Sequence, residues 1–335
     1  PLYSSAASDV YKRQLLALGV NEISLRLPMA LAGCISIFLL YRLLLRRFGA
    51  RTALLGMLFL VVNPWHLMKS RWALESNLFP ELLFFGFYLL IAGLDGKRRG
   101  GGVLFSALIF GLSAYSYGTS YFFLFFFVIG TLVYLLVKRK IKWWEALAHV
   151  AVVGVVCLPI MAFIYINMFD KASLHFLCFT IPKLTQNRFQ AVTNIFSQDF
   201  FRSGLKNFAD GLSLLFVQYD GLPWNGIPAF GTLYLLSAPF MLIGVFLSDK
   251  NKETGPMYAI MRIWLGVALA MSFIVSPNIN RLNAVWFPLI FFTIMGLKTV
   301  AELSAAVRKC LYALYAAAFM AFTAFYGTVW NQTLK

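Results

Sequence analysis

Long apolar runs, separated by short polar clusters, dominate the pattern of this chain. Each run comes close to the roughly 20 residues a helix needs to cross hydrocarbon, and they recur from Leu15 to about Thr328. Their limits predict ten membrane-spanning helices, near 27–45, 52–68, 78–94, 103–117, 119–137, 145–166, 231–247, 263–276, 284–300 and 310–328. The expected fold class is therefore all-α, a polytopic integral membrane protein. A long polar stretch, 168–230, separates the sixth run from the seventh. Within it Phe201, Leu205, Phe208, Leu212 and Leu215 recur at steps of four, three, four and three, with Arg202, Lys206, Asn207 and Asp210 between them. This pattern predicts an amphipathic helix lying on the outer leaflet. Packing of its apolar stripe against other helices is the alternative.

Composition agrees with the pattern. Hydrophobic residues make up 60% of the chain and charged residues 13%, against about 25% charged in soluble domains. The net charge of +16 raises nucleic acid as a partner, but the basic residues do not gather on one face or in one domain. They sit between apolar runs, in alternate loops: Arg42, Arg46, Arg47 and Arg51; Lys97, Arg98 and Arg99; Lys138, Arg139, Lys140 and Lys142; Lys250, Lys252 and Arg262; Arg308 and Lys309. The short loops of the other set hold only Lys69, Arg71 and Arg281. By the positive-inside bias the first set is cytoplasmic and the second extracytoplasmic, as expected in a bacterial plasma membrane. Cys34, Cys157, Cys178 and Cys310 are scattered, so neither a zinc site nor a disulfide framework is implied. No cofactor is expected, and the sequence does not show a metal need.

The first 14 residues, Pro1 to Gln14, are unlike the rest and carry neither the apolar core nor the cleavage site of a signal peptide. We expect them to be a non-native leader, 15–328 to be the membrane domain and 329–335 a truncated tail, the natural protein beginning upstream with a further span and outer loop.

Polar candidates concentrate on the outer rim. The stretch from Pro64 to Asn77 brings together His66, Lys69, Arg71 and Glu75 between Trp65 and Trp72, and indoles favour the headgroup level. Arg71 and Glu75 are four apart and would share a helix face. Further along the chain come Tyr115, Tyr117 and Ser120, then Asn278, Asn280, Arg281 and Asn283. Such a rim suits a substrate whose tail stays in lipid and whose head sits in water. Arginine and lysine hold phosphate, and Asn and Tyr bond sugar hydroxyls. Each has a bland reading: Lys69 and Arg71 as snorkelling residues, Glu75 as the partner of Arg71, His66 as a helix-end residue, Tyr115 and Tyr117 as belt anchors. Arg281, an outward arginine in a very short loop, has the weakest such reading. Ionisable residues within the spans, Glu81, Glu145, His149 and Lys298, lie near span ends, which disfavours a coupled transporter.

Several runs together resemble a known family. Leu25 to Gly33, Leu40-Tyr41-Arg42 and Arg46-Arg47-Phe48-Gly49 are similar to the corresponding run of the GT-C membrane glycosyltransferases. The relatives meant are the dolichyl-phosphate-mannose protein mannosyltransferase-like enzymes of the family 39 type, and the lipid A aminoarabinose transferases. Asn63 to His66, Ser70 to Glu75, Tyr115 to Ser120, and Arg281-Leu282-Asn283 with Pro288 fit the same family. The resemblance implies transfer of a sugar from a polyprenyl-phosphate carrier to a lipid, glycan or protein acceptor, with inversion, on the extracytoplasmic face. From their place on the rim, His66, Lys69, Arg71, Tyr117, Asn280, Arg281 and Asn283 are the residues expected to bind substrate. The family's catalytic Asp lies in an outer loop upstream of Leu15, and Glu22 does not match it. Glu75 is thus a fallback base, chosen by position, and the chain alone is expected to be inactive. The runner-up is a polytopic transporter, or a flippase or polymerase of lipid-linked saccharides. A membrane scaffold would leave Arg281 and the expected Arg71–Glu75 pair unexplained.

Overall fold

Asn21 starts the first helix by accepting the Ser24 N–H at 2.8 Å, while Ser24 Oγ accepts the Asn21 N–H at 3.2 Å, a reciprocal cap. The computed structural model describes residues 21–96, 99–176, 179–184, 193, 197–247 and 253–330, without the side chains of Glu75, Arg99, Phe176, Phe179 and Val329. The basic positions Lys97, Arg98, Lys250 and Lys252, the leader and the last five residues fall outside the described residues.

Helix α1 (Glu22–Val61) is not a single rod. Gly49 adopts φ 82°, ψ 175°, a conformation open to glycine at little cost. There the chain doubles back, so that the Leu44 side chain packs where a Cβ on Gly56 would stand. Two expected spans are thereby present in one element. Asn63 then caps α2 (Pro64–Arg71), accepting the His66 N–H at 3.1 Å, with Pro64 where its missing N–H costs nothing. The helices that follow are α3 (Leu78–Asp95), α4 (Arg99–Ser113), α5 (Ser120–Val137) and α6 (Trp143–Met168), then α7 (Phe200–Val217), α8 (Ala238–Phe246), α9 (Gly255–Ala270), α10 (Trp286–Ala301) and α11 (Ala305–Phe325). Between α6 and α7, β1 (Leu174–Phe176) pairs antiparallel with β2 (Phe179–Ile181), a small ribbon the apolar pattern did not suggest.

Seven of the described helices are long and apolar enough to cross a membrane, and two shorter apolar helices lie at 100–113 and 235–246. Counting both legs of α1, a helix lies at each of the ten expected positions. Their limits differ in several places. The second leg stops at Val61 rather than near Met68, because Asn63 and Pro64 begin a new helix. The seventh is helical only from Leu235, because Gly231 and Tyr234 take positive φ. The eighth starts at Gly255 rather than Ile263. Arg262, read as a loop residue, sits within α9, where its Nε donates to the Val245 carbonyl at 3.1 Å and its Nη2 to that of Leu247. It thus satisfies carbonyls left open at the end of α8.

Helix α10 is the axis of the bundle, with Trp286 to Leu297 all buried. Gly244 on α8 lies against the backbone of Phe292, and Gly296 on α10 against that of Phe240, so α8 and α10 meet backbone to backbone as small residues allow in membranes. The periphery is apolar: Phe38, Phe125, Val155 and Met320 are more than half exposed, as on lipid-facing surfaces. Helix α7 turns Gly204 onto Phe273 and Gly211 onto Ser272. Leu215 of its stripe is buried, but Phe201, Leu205, Phe208 and Leu212 remain exposed, so most of the stripe is not covered by other helices.

The loops divide as the charge pattern requires. Arg47 pairs with Asp95 and donates to the Glu253 carbonyl at 2.7 Å, joining three loops of the basic set at one end. Helix α3 runs from there to the other end, where the rim residues gather.

Candidate functional site

Three segments far apart in sequence build this second end. Asn283, fully buried, donates through Nδ2 to the Ser76 carbonyl at 2.8 Å and to Asn77 Oδ1 at 3.3 Å. Asn77 in turn donates to the carbonyls of Lys69 at 3.3 Å and Trp72 at 3.0 Å. One amide thus ties 276–283 to the turn that precedes α3, and a second ties that turn to the end of α2. A third contribution comes from the turn following α7. Asp220 Oδ2 accepts from Asn225 Nδ2 at 2.6 Å and from the Ile279 N–H at 2.9 Å, and Asn225 Oδ1 accepts from Asn280 Nδ2 at 2.6 Å. Between these segments lies a narrow cleft walled by Trp65, Trp72, Asn77, Trp224, Asn225 and Asn280.

Below the cleft lies an ion pair. Lys69 Nζ is 2.5 Å from Glu81 Oε1, and both side chains are almost wholly buried. Ser36 donates to the other carboxylate oxygen. The ammonium also sits 4.0 Å from the Trp65 ring centroid and 5.1 Å from that of Phe287, within cation–π range. Burial draws the Lys69 pKa below its usual value, and the Glu81 charge and hydrogen bond oppose it. His66 is buried one turn earlier. Burial first, and the Lys69 charge second, push its pKa down to about 3, against a raising contribution from the Gly33 backbone. Its imidazole is therefore neutral, and Nε2 is left without a well-formed hydrogen bond. Ser70 and His66 fill the space a Cβ on Gly33 would need, which fits α2 against the first leg of α1.

The two rim arginines have separate partners. Arg71 is exposed, its guanidinium 5.1 Å from the Tyr326 ring centroid. Arg281 is held by its backbone N–H on Asn278 Oδ1 at 2.7 Å, and its Nη1 donates to the Ser276 carbonyl at 3.1 Å. Its charge partly offsets the burial that raises the Tyr117 phenol pKa. Tyr115 donates to the Val156 carbonyl at 2.6 Å, anchoring the α4–α5 turn on α6.

The structure thus gathers His66, Lys69, Arg71, Asn280, Arg281 and Asn283 at one end, with Tyr117 beside Arg281. It revises two expectations. Lys69 is not an exposed cation, because Glu81 neutralises it inside the bundle. Arg71 and Glu75 do not share one helix face, because α2 ends at Arg71, Trp72 is extended (ψ 115°), and Glu75 opens a separate 3-10 turn. The Glu75 side chain itself lies outside the described residues. Sequence reasoning missed Asn77, Asp220, Trp224 and Asn225, and gave Glu81 no partner. An acid within an apolar run is itself a signal of this kind. Among the described residues no group of three or more His, Cys, Asp or Glu side chains is placed to hold a metal ion.

The sequence profile of a family described as dolichyl-phosphate-mannose-protein mannosyltransferase matches residues 13–181, just over half of the chain. No curated protein sequence matches. Among solved structures, ArnT from Cupriavidus metallidurans bound to undecaprenyl phosphate superposes with a TM-score of 0.62 at 19% identity, over 94% of this chain and 53% of that one. ArnT from the same organism in the apo state gives 0.56 at 18%, over 88% and 49%. The archaeal oligosaccharyltransferase AglB from Archaeoglobus fulgidus, in complex with an inhibitory peptide and a dolichol-phosphate, gives 0.52 at 12%, over 98% and 46%. At these identities the likeness is one of fold, and the chain spans about half the length of these proteins.

Proposed function

This chain belongs to the dolichyl-phosphate-mannose-protein mannosyltransferase family, and on that premise we propose that it forms the membrane-embedded part of a glycosyltransferase. The reaction is transfer of a sugar from a polyprenyl-phosphate carrier to an acceptor, with inversion, at the extracytoplasmic face of a bacterial plasma membrane. The observation that carries this reading is the Asn283 bridge to Ser76 and Asn77. It sets the segments bearing Arg71 and Arg281 side by side, at the end of the bundle away from most basic loops. A lipid-linked phosphate meets both requirements there, cationic groups for its head and an apolar periphery for its tail.

In this reaction an acceptor hydroxyl attacks the anomeric carbon. The new C–O bond forms as the bond from that carbon to the phosphate oxygen breaks. The phosphate leaves with the electron pair, and a carboxylate takes the hydroxyl proton. We assign Arg71 and Arg281 to the phosphate, and Tyr117 and Asn280 to the sugar side of the rim, where the buried Asn283 positions the segment that carries Asn280 and Arg281. Lys69 and His66 lie deeper and support α2. Glu75 is the fallback base, from its position in the turn after α2.

The test uses the chain extended upstream and reconstituted with a polyprenyl-phosphate sugar. Arg281→Ala is expected to lower turnover by about a hundredfold, as for loss of one group stabilising developing charge. Unchanged turnover with unchanged donor affinity would reject the assignment. A transport reading draws on one observation, the buried Lys69–Glu81 pair, because buried charge marks many ion-coupled pathways. Movement of a lipid-linked saccharide across vesicles, without sugar transfer, would favour it.

A further inference from the structure

The cleft at this end is lined in a way that a phosphate clamp does not require. Three indoles, Trp65, Trp72 and Trp224, meet three amides, Asn77, Asn225 and Asn280, around one opening. Trp224 keeps 46% of its surface open, yet its turn is held from several sides. Trp330 Nε1 donates to the Pro223 carbonyl at 3.1 Å. The Asn225 N–H donates to the Leu222 carbonyl at 3.0 Å. Asp220 anchors both Asn225 and Ile279. An indole fixed before binding loses little freedom on binding. The amides are ordered as well. Asn225 engages Asp220 with its Nδ2 and Asn280 with its Oδ1, which sets the Asn280 side-chain Oδ1 to accept from a ligand.

The charge of the lining decides the ligand class. Lys69 is its one cation, and Glu81 neutralises that ammonium from below. Arg71 rests on Tyr326, and Arg281 points to the Ser276 carbonyl. A phosphate would find no unengaged cation in the lining. Flat apolar faces next to amide donors and acceptors suit a neutral sugar ring, whose C–H face stacks on indole and whose hydroxyls bond to Asn. The enclosed space, about 10 Å³, is the size of one water, so the ring would sit across the mouth on Trp224.

We infer that this cleft is a saccharide subsite and that it holds an uncharged ring of a glycan acceptor. Its role as acceptor site rests on the transferase reading above, whereas the binding of a ring rests on the cleft alone. Saturation-transfer NMR on the full 335-residue chain in lipid nanodiscs tests it without turnover, with cellobiose, mannobiose and N,N′-diacetylchitobiose as probes. Saturation should reach the ring C–H protons of at least one probe, vanish in Trp224→Ala and persist in Trp224→Phe. Asn280→Ala should weaken that binding by about tenfold, as expected for a lost hydrogen bond. No transfer to any of the three probes, or equal transfer in Trp224→Ala, overturns the proposal. Binding seen only with a polyprenyl-phosphate-linked sugar assigns the cleft to the donor and overturns the acceptor role. Probe binding without turnover in the upstream-extended protein would count against the transferase reading and leave the subsite standing; turnover without probe binding would do the reverse.

Discussion

Replacing Glu81 by Gln isolates the buried pair. The change keeps the shape of the side chain and removes its charge. Lys69 is then left almost wholly buried, with a neutral amide and the Trp65 and Phe287 rings, but no anion, to face its ammonium. Removing one partner of a buried pair costs about 3–5 kcal/mol. An independent bound comes from deprotonation, since a lysine can escape the penalty by becoming neutral. From an unfolded pKa of about 10.4, neutralising it at pH 7 costs about 4–5 kcal/mol, and at pH 9 only about 2. The two estimates agree at neutral pH, and the second adds a direction. In the variant the unfolded chain binds a proton that the folded protein lacks, so its stability rises with pH up to the unfolded lysine pKa.

Chemical or thermal unfolding in detergent, at pH 7 and pH 9, reads this directly. Glu81→Gln should be less stable than the parent at pH 7, and the gap should narrow by about 2–3 kcal/mol at pH 9. A double variant, Lys69→Met with Glu81→Leu, removes both charges and should lie within about 2 kcal/mol of the parent at either pH, as for other buried pairs replaced by apolar side chains. A gap that stays constant with pH would mean that Lys69 is already neutral in the parent, and the ion-pair account would be wrong.

Other expectations follow from the packing and from His66. Gly244→Ala should prevent the bundle from assembling, because its Cβ would strike the Phe292 carbonyl; Gly266→Ala, with nothing near its Cβ, should be silent in the same size-exclusion assay. His66 has a folded pKa of about 3 against about 6.5 unfolded. Its contribution is therefore complete above pH 6.5 and is lost as pH falls through that window, so an acid titration of His66→Phe should show a shallower loss of stability than the parent. Asn283→Leu removes the bonds to Ser76 and Asn77 and should cost about 1–3 kcal/mol, seen as a lower unfolding midpoint.

What could be read along the chain, and what could not, follows from how each contact is made. Ten spans were legible because lipid enforces an apolar run of fixed length, and each run is local in sequence. The ends of those runs were less legible, because a polar residue is tolerated inside a helix wherever another element supplies its partner. Arg262 is the plain case: its charge suggested a loop, but the carbonyls that accept its hydrogen bonds belong to α8. The candidate site depends on such partners throughout. Lys69 and Glu81 are twelve residues apart on different helices, and Asn283 reaches back more than 200 residues to Ser76. Nothing in the spacing of either pair marks them as neighbours. The rim residues could be collected by sidedness, because loop charge is also a local signal, and that signal put Arg71 and Arg281 at the same end. It could not say that Lys69 is neutralised, or that Trp224 and Asn225, from a long polar stretch with no strong pattern, close the cleft over α2. Sidedness selects the residues available to a site, whereas folding decides which of them keep a free charge. Arg281 and Trp224 are therefore more informative targets than Lys69.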